Sequence, residues 1–276
     1  MRTRTSIVAW IVAVIVIIAI ILAALYLRHD RQTQVPEAPL AASTAPAPAH
    51  TPVTHHPIAM AASAPASAST APLPTLADSD AAVTAALARL SGDVSVGKML
   101  ANAHVIQRMV ATINALPGHG MGNNILPLNP PAGGLATDTV NGQLVLSSSN
   151  YARYAPYMQW VRDADVSDVV AWYVRYYPLF QQAYRKLGYP NGYFNDRLVA
   201  VIDHLLKAPV PQGPVALVQT DKGYAFADPK LESLSVGRKL MVRMGPDNEK
   251  LVKQKLRAIR AAITGEQGPA AASSAQ

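Results

Sequence analysis

The sequence predicts a mainly α, single compact helical domain with one or two small β-hairpins, preceded by one transmembrane helix and a disordered linker. Three observations lead there. An uncharged apolar run covers residues 5–27; a tract rich in Pro, Ala, Ser and Thr follows to residue 77; and apolar residues recur at three- and four-residue steps between 78 and 265. The organisation that follows is a tail at 1–5, a transmembrane helix at 6–27, a linker at 28–77, the helical domain at 78–265 and a disordered tail at 266–276.

The apolar run is 23 residues long, Thr5 to Leu27. At ~1.5 Å per residue it spans a hydrocarbon core of ~30 Å with some tilt. Trp10 and Tyr26 lie near its ends, where amphipathic rings prefer the headgroup level, and Arg2, Arg4, Arg28 and Arg31 flank it. A cleaved signal peptide would need a shorter apolar region of ~7–15 residues followed by a small-x-small site, and neither is present. The arginines are balanced across the run, but residues 32–77 hold no Lys or Arg to resist export. The expected location is the bacterial inner membrane, single-pass, with the C-terminal domain in the periplasm. Cysteine is absent, which removes disulfides, thiolate chemistry and Cys-ligated metals.

Residues 32–77 carry nine of the 22 prolines and one carboxylate, Glu37. Such a chain alternates polyproline II and coil and reaches on the order of 140 Å when extended at ~3.1 Å per residue. It reads as a spacer. His50, His55 and His56 in it could be called a metal cluster, but isolated histidines in a disordered tract are more often without a role, and no metal or cofactor is expected.

In the domain, Asp78 or Ser79 can cap a helix to about Leu90, and a second near 94–116 is closed by Pro117 and Gly118. Asn141-Gly142 between two apolar runs is a strong hairpin signal. A helix from about Asn150 to Asp163 comes next, and Asp165 with Asp168 three residues on opens another in capping-box fashion. In the latter, Val169, Tyr173, Tyr176, Phe180, Tyr184 and Leu187 form one stripe, with Pro178 inside it predicting a kink or a restart. PVALVQTDKGYAFAD alternates around Asp221, Lys222 and Gly223 as a second hairpin. Helices at about 229–244 and 247–264 close the domain.

Charge and aromatics are both uneven. Of the net +7, the excess sits in residues 235–264, where eight Lys and Arg face only Asp247 and Glu249. Lys250, Lys253, Arg257 and Arg260 fall on one helical stripe beside the apolar stripe Val252, Leu256, Ile259 and Ile263. A polyanion or an anionic membrane surface can bind such a stripe, and the plainer reading is the solvated flank of an amphipathic helix. Nucleic acid is not an expected partner for an exported domain. Thirteen of the 17 aromatic residues lie between Tyr151 and Phe194, a density that suits a core edge or an interface, with stacking on glycan as the functional version.

Several strings resemble a known family: LPTLADSDAAV, SSNYARYAPYM, YYPLFQQAYRKLGYPNGYFNDRLVAVIDHLL, FADPKLESLSVGRKLMVRMGPDN and KLRAIRAAITG. They are similar to segments of a proteobacterial membrane-anchored family of unknown function, the domain of unknown function 3014. The resemblance spans nearly all of residues 73–265 and is weakest over 118–147. It implies a membrane-anchored, mainly helical domain and no particular reaction.

No complete catalytic motif is present. No Ser lies in a glycine-flanked elbow, and His104, His119 and His204 have no helical zinc partner. Asp203 and His204 are sequence neighbours that point about 100° apart on a helix, and Asp203 is expected to pair with Lys207 one turn on. Asp196 and Asp203 stand two turns apart, ~10.5 Å of rise, slightly long for paired glycosidase carboxylates at ~5–9.5 Å. The first functional expectation is therefore a non-enzymatic envelope protein that binds another envelope protein or a cell-wall component. The alternative is a peptidoglycan-directed hydrolase using Asp196, Asp203 and His204.

The stretch YPNGYFNDR is the candidate site. Gly188 ends one helix, Pro190, Asn191 and Gly192 turn the chain, and Asn195 or a neighbour caps the next helix. Asn195, Asp196 and Arg197 together are more polar than a cap requires, which leaves a buried charge pair and a ligand contact both open. The partner- or ligand-binding candidates are Tyr189, Asn191, Tyr193, Asn195, Asp196, Arg197, Asp203 and His204. Oligomeric state is not readable from the sequence.

Overall fold

The computed structural model of the chain describes residues 54–63, 72–91, 100–101, 103–129, 134–221 and 223–266. The expected transmembrane helix at 6–27 and all of the tail after Glu266 lie outside these residues. Among the described residues no helix is long and apolar enough to cross a membrane.

The domain begins with α1, Asp80–Ser91. Ser79 is buried and its hydroxyl donates to the Leu76 carbonyl at 2.9 Å. Asp80 instead caps a different helix: its carboxylate accepts the N–H groups of His104 (2.7 Å) and Val105 (2.8 Å) at the start of α2, Val105–Ala115. A remote carboxylate thus fills the role of a local N-cap, and its charge suits the positive end of the helix. Strands β1 (Thr137–Val140) and β2 (Gln143–Leu146) form the first hairpin, with Asn141 at φ 51° and Gly142 at φ 78°. Two positive-φ residues are what the Asn-Gly pair predicts for a tight two-residue turn.

The helix expected over 150–163 is two helices, α3 (Ser148–Ala152) and α4 (Ala155–Asp163). Pro156 sits in the first turn of α4 and lacks an N–H, which makes it a helix starter and ends the run before it. α5 (Val166–Lys186) is capped by Asp165, whose side chain accepts the Ser167 N–H at 2.8 Å. It runs through Pro178 without restarting. One backbone bond is lost there, but Tyr176, Tyr177, Leu179 and Phe180 on both sides are buried and hold the turns in place. The predicted stripe is buried from Val169 to Tyr184, whereas Leu187 is 40% exposed.

α6 (Phe194–Leu206) lies against the last helix, and β3 (Leu217–Thr220) with β4 (Gly223–Phe226) makes the second hairpin. The single helix expected over 229–244 is divided into α7 (Pro229–Glu232) and α8 (Val236–Arg243). Ser235 caps α8 by accepting the Arg238 N–H at 3.3 Å, so the chain restarts there. α9 (Pro246–Thr264) follows Gly245, at φ 89° with the Tyr151 ring where a Cβ would stand.

α5 packs between α2 and α9, α6 covers α9 and α2, and the resulting main core gathers Ile106, Met109, Tyr173, Phe180, Phe194, Leu198, Val252, Leu256, Ile259 and Ile263. Burying each such side chain contributes about 1.5–3 kcal/mol. The hairpins meet through a bridge between Val145 and Ala216 and close a second small core of Leu146, Val215, Leu217, Phe226 and Val242.

Part of the expected spacer does not stay free. Residues 54–63, with a 3₁₀ turn over Ile58–Ser63, lie against α5 and α9; Ala61 is buried and Ile58 packs on the main core. Residues 72–79 likewise join the domain, with Leu76 buried and the Asp78 N–H bonded to the Thr75 carbonyl at 3.1 Å. Pro- and Ala-rich composition argues that a segment cannot fold alone, and a core provided by 105–264 removes that requirement.

Candidate functional site

The corner between α5 and α6 is built by two glycines and one glutamine. Gly188, at φ 110°, ends α5 in a conformation other residues resist. Gly192 lies where a Cβ would stand 2.7 Å from Tyr184 Cε1 and 3.1 Å from Tyr189 Cβ, so only glycine lets Tyr189 stack on Tyr184 at 4.6 Å between ring centres. The N-cap position of α6 is Tyr193, which caps with no side chain, and Asn195 does not cap either. Gln181 supplies the function from α5: its Oε1 accepts the Phe194 N–H (2.9 Å) and its Nε2 donates to the Gly192 carbonyl (2.7 Å). The expected local cap is thus corrected to a tertiary one, placed 13 residues earlier in sequence.

Freed from capping, the polar residues of the corner turn to the 54–63 segment. The Asp196 carboxylate accepts the main-chain N–H of His55 on Oδ2 (3.1 Å) and of His56 on Oδ1 (2.7 Å). The Tyr193 hydroxyl accepts the Ile58 N–H at 2.7 Å. Asn195 is fully buried; its Nδ2 donates to the carbonyls of His56 (2.8 Å) and Ile263 (3.2 Å), and its Oδ1 accepts the Tyr173 hydroxyl (3.2 Å). Each of these bonds to the segment goes to its main chain. Burial keeps the Tyr173 and Tyr177 phenols protonated far above their ordinary range, so Tyr173 is a fixed donor to Asn195 and leaves the Asn amide to point at the two carbonyls.

The other candidates serve other elements. Tyr189 is 42% exposed, with its hydroxyl accepting from Asn114 Nδ2 at 3.2 Å, and Asn191 is exposed in the turn. Arg197 donates through Nε to Asn114 Oδ1 and through Nη2 to the Asn114 carbonyl, both at 2.8 Å, tying α6 to the end of α2. Asp203 does not pair with Lys207; its Oδ1 takes Arg260 Nε at 2.6 Å from α9. His204 Nε2 lies 2.6 Å from Ser235 Oγ. Asp196, Asp203 and His204, the three hydrolase candidates, therefore face three different partners and do not converge.

The predicted basic stripe is also divided. Lys253 is buried, with Nζ 2.8 Å from Glu249 Oε1 and 2.5 Å from the Ala208 carbonyl. Arg260 bridges Asp203 and Glu266, both at 2.6 Å. Lys250 keeps only a loose approach of 3.8 Å to Asp247, and Arg257 stays exposed. The apolar stripe beside it, Val252, Leu256, Ile259 and Ile263, is buried as predicted. Among the described residues no group of His, Asp and Glu gathers in a way that could hold a metal ion.

Sequence reasoning missed the 54–63 segment, Gln181 and Asn114. The segment left one signal: Ile58 and Met60 are the only large aliphatic residues between Val53 and Leu73. Gln181 left none, because a glutamine on a helix names no partner.

The model of one protein family, described as a protein of unknown function (DUF3014), matches residues 105–260, more than half of the chain. No curated protein and no solved structure matches it. The match runs from the start of α2 into α9 and so includes the whole α5–α6 corner, while the docked 54–63 segment precedes it.

Proposed function

The chain belongs to the DUF3014 family of proteins of unknown function, and from that premise we propose a membrane-anchored envelope protein whose helical domain is a non-enzymatic binding or scaffold domain held in the periplasm. The observation that carries the binding reading is the Tyr193, Asn195 and Asp196 arrangement. Three side chains present acceptors and a donor to main-chain groups, and they engage a bent segment leading into a 3₁₀ turn, 135–141 residues away in sequence. Reading main-chain groups while leaving side chains free is how peptide-binding surfaces work. The anchor rests on the uncharged run at 5–27, and the periplasmic placement on the absence of Lys and Arg from 32–77.

Two measurements test this reading. A reporter fused after Gln276 is active in the periplasm if the placement holds, and cytoplasmic activity overturns it. The exported domain with residues 28–276 retains a specific envelope protein or binds cell-wall sacculi without digesting them. Sacculus digestion that disappears in Asp196→Asn would replace the binding domain by a peptidoglycan hydrolase.

A further inference from the structure

The groove that holds residues 54–63 is assembled by groups that do not belong to them. Gln181 fixes the start of α6 through the Phe194 N–H and the Gly192 carbonyl. The Tyr173 hydroxyl, donating to Asn195 Oδ1, turns the Asn195 amide toward the His56 carbonyl. The first turn of α6, with Tyr193 at its N-cap, thereby offers a phenol, an amide and a carboxylate, and all three meet main-chain groups of the segment. Tyr173, Gln181, Tyr193, Asn195 and Asp196 fall inside the region of the family match and the segment before it. Groove and occupant are therefore separate parts of the chain.

The occupant fits the groove by pattern more than by bulk. The N–H groups of His55, His56 and Ile58 are used, and Pro57, which has no N–H to offer, falls at the position left unread between the last two. The side chains of His55, Pro57 and Ala59 are exposed, while Ile58 packs on the main core and Ala61 is buried. The pattern is two successive N–H groups, a proline, a branched aliphatic residue and a small residue three positions later. The hold is light: among the described side chains of the segment only Ile58 and Ala61 reach the core, and no ion pair among the described residues includes it. Segments with few buried apolar contacts open before the body of a domain does.

Taking the binding reading of that corner as the premise, we infer that it receives a linear peptide segment of another protein and that residues 54–63 are its built-in, inhibitory ligand. A ligand joined to its own site acts at an effective concentration of roughly millimolar, so a partner enters only by displacing the segment. A second copy's identical segment makes the same contacts without that advantage and does not win the exchange. A partner segment wins by keeping the main-chain pattern and the aliphatic and small positions, and by adding contacts where His55, Pro57 and Ala59 leave their side chains in solvent.

The probe is a labelled peptide of residues 54–63, THHPIAMAAS, titrated by fluorescence anisotropy into the full chain in detergent and into a variant chain whose residues 54–63 are replaced by Gly and Ser. The variant should bind it saturably below about 1 mM, and the parent about tenfold or more weakly. In the variant background Asp196→Ala, and in the peptide methylation of the His56 nitrogen, should each weaken binding about tenfold or more. A peptide carrying His55→Ala should bind unchanged, because that side chain is exposed. If circular dichroism finds the variant unfolded, the parent serves: the chain has no cysteine and Ala59 is exposed, so a fluorophore on Ala59→Cys should gain mobility as excess peptide displaces the segment. No binding to the folded variant, equal binding to variant and parent, or no gain in mobility overturns the proposal. Parent dimers that Asp196→Ala abolishes overturn the heterologous ligand in favour of a second copy's segment. A folded variant that ignores the peptide while the parent still retains an envelope partner sinks this site alone, and peptide binding with no partner retained supports the site and sinks the envelope scaffold.

Discussion

The Asp196 carboxylate and the main-chain N–H of His56 meet at 2.7 Å across 140 residues of sequence. A carboxylate that accepts two adjacent N–H groups holds the backbone in one conformation, and each charged hydrogen bond contributes about 1.5–3 kcal/mol. His56→Pro removes one donor and should open residues 54–63 to protease severalfold faster, as should Asp196→Ala. His55→Ala keeps its N–H and loses only an exposed side chain, so its cleavage rate should match the parent. Equal rates in all three would mean that the segment is held by its apolar contacts alone.

Glu249 is fully buried and answered by Lys253. Burial raises the Glu249 pKa, and Lys253 pulls it back. Glu249→Gln should change stability by no more than about 1 kcal/mol, whereas Lys253→Met strands a buried carboxylate and should cost about 3–5 kcal/mol. Because the folded pKa lies above the ordinary 4.5, the penalty in Lys253→Met is absent below that pH and develops as pH rises through the folded value. Denaturant unfolding at acidic and neutral pH measures both.

Asp203 answers Arg260 rather than Lys207. Both members of the pair are partly exposed, so a double-mutant cycle of Asp203→Ala with Arg260→Ala should yield a coupling of about 0.2–1 kcal/mol, reduced by salt. The cycle with Lys207→Ala should give none.

Gly192→Ala places a methyl group 2.7 Å from Tyr184. Relieving that contact displaces the Tyr184–Tyr189 stack and should cost about 1–3 kcal/mol, with loss of near-ultraviolet tyrosine dichroism as the direct readout.

His204 titrates below its ordinary 6.5 in the folded chain because it is half-buried among cations. The unfolded chain therefore takes up this proton first as pH falls, so stability declines as pH drops through 6.5 toward the folded value and then levels. In His204→Gln the thermal midpoint should fall less over that range.

Periodicity and turn chemistry are local properties, and they were legible wherever local chemistry decides. The Asn141-Gly142 hairpin, the hairpin around Asp221 and Gly223, the Asp165 cap, the Gly188 stop and the buried stripes of α5 and α9 all follow from residues within one or two turns of each other. Leu187, at the end of the α5 stripe, escaped burial because Gly188 reverses the chain there.

The partners of polar side chains were decided only by the tertiary structure. Capping of α6 by Gln181, capping of α2 by Asp80, the choice of Arg260 by Asp203, and the hold of Asp196 on residues 55 and 56 all join groups from 13 to 141 positions apart. A side chain's hydrogen-bonding capacity is written in its residue type, but which group meets it depends on how the helices pack. The sequence by itself determined the mainly helical class, the two hairpins and a polar corner at YPNGYFNDR. Packing decided that this corner clasps the chain's own main chain and that Arg197, beside it, ties α6 to Asn114 at the end of α2.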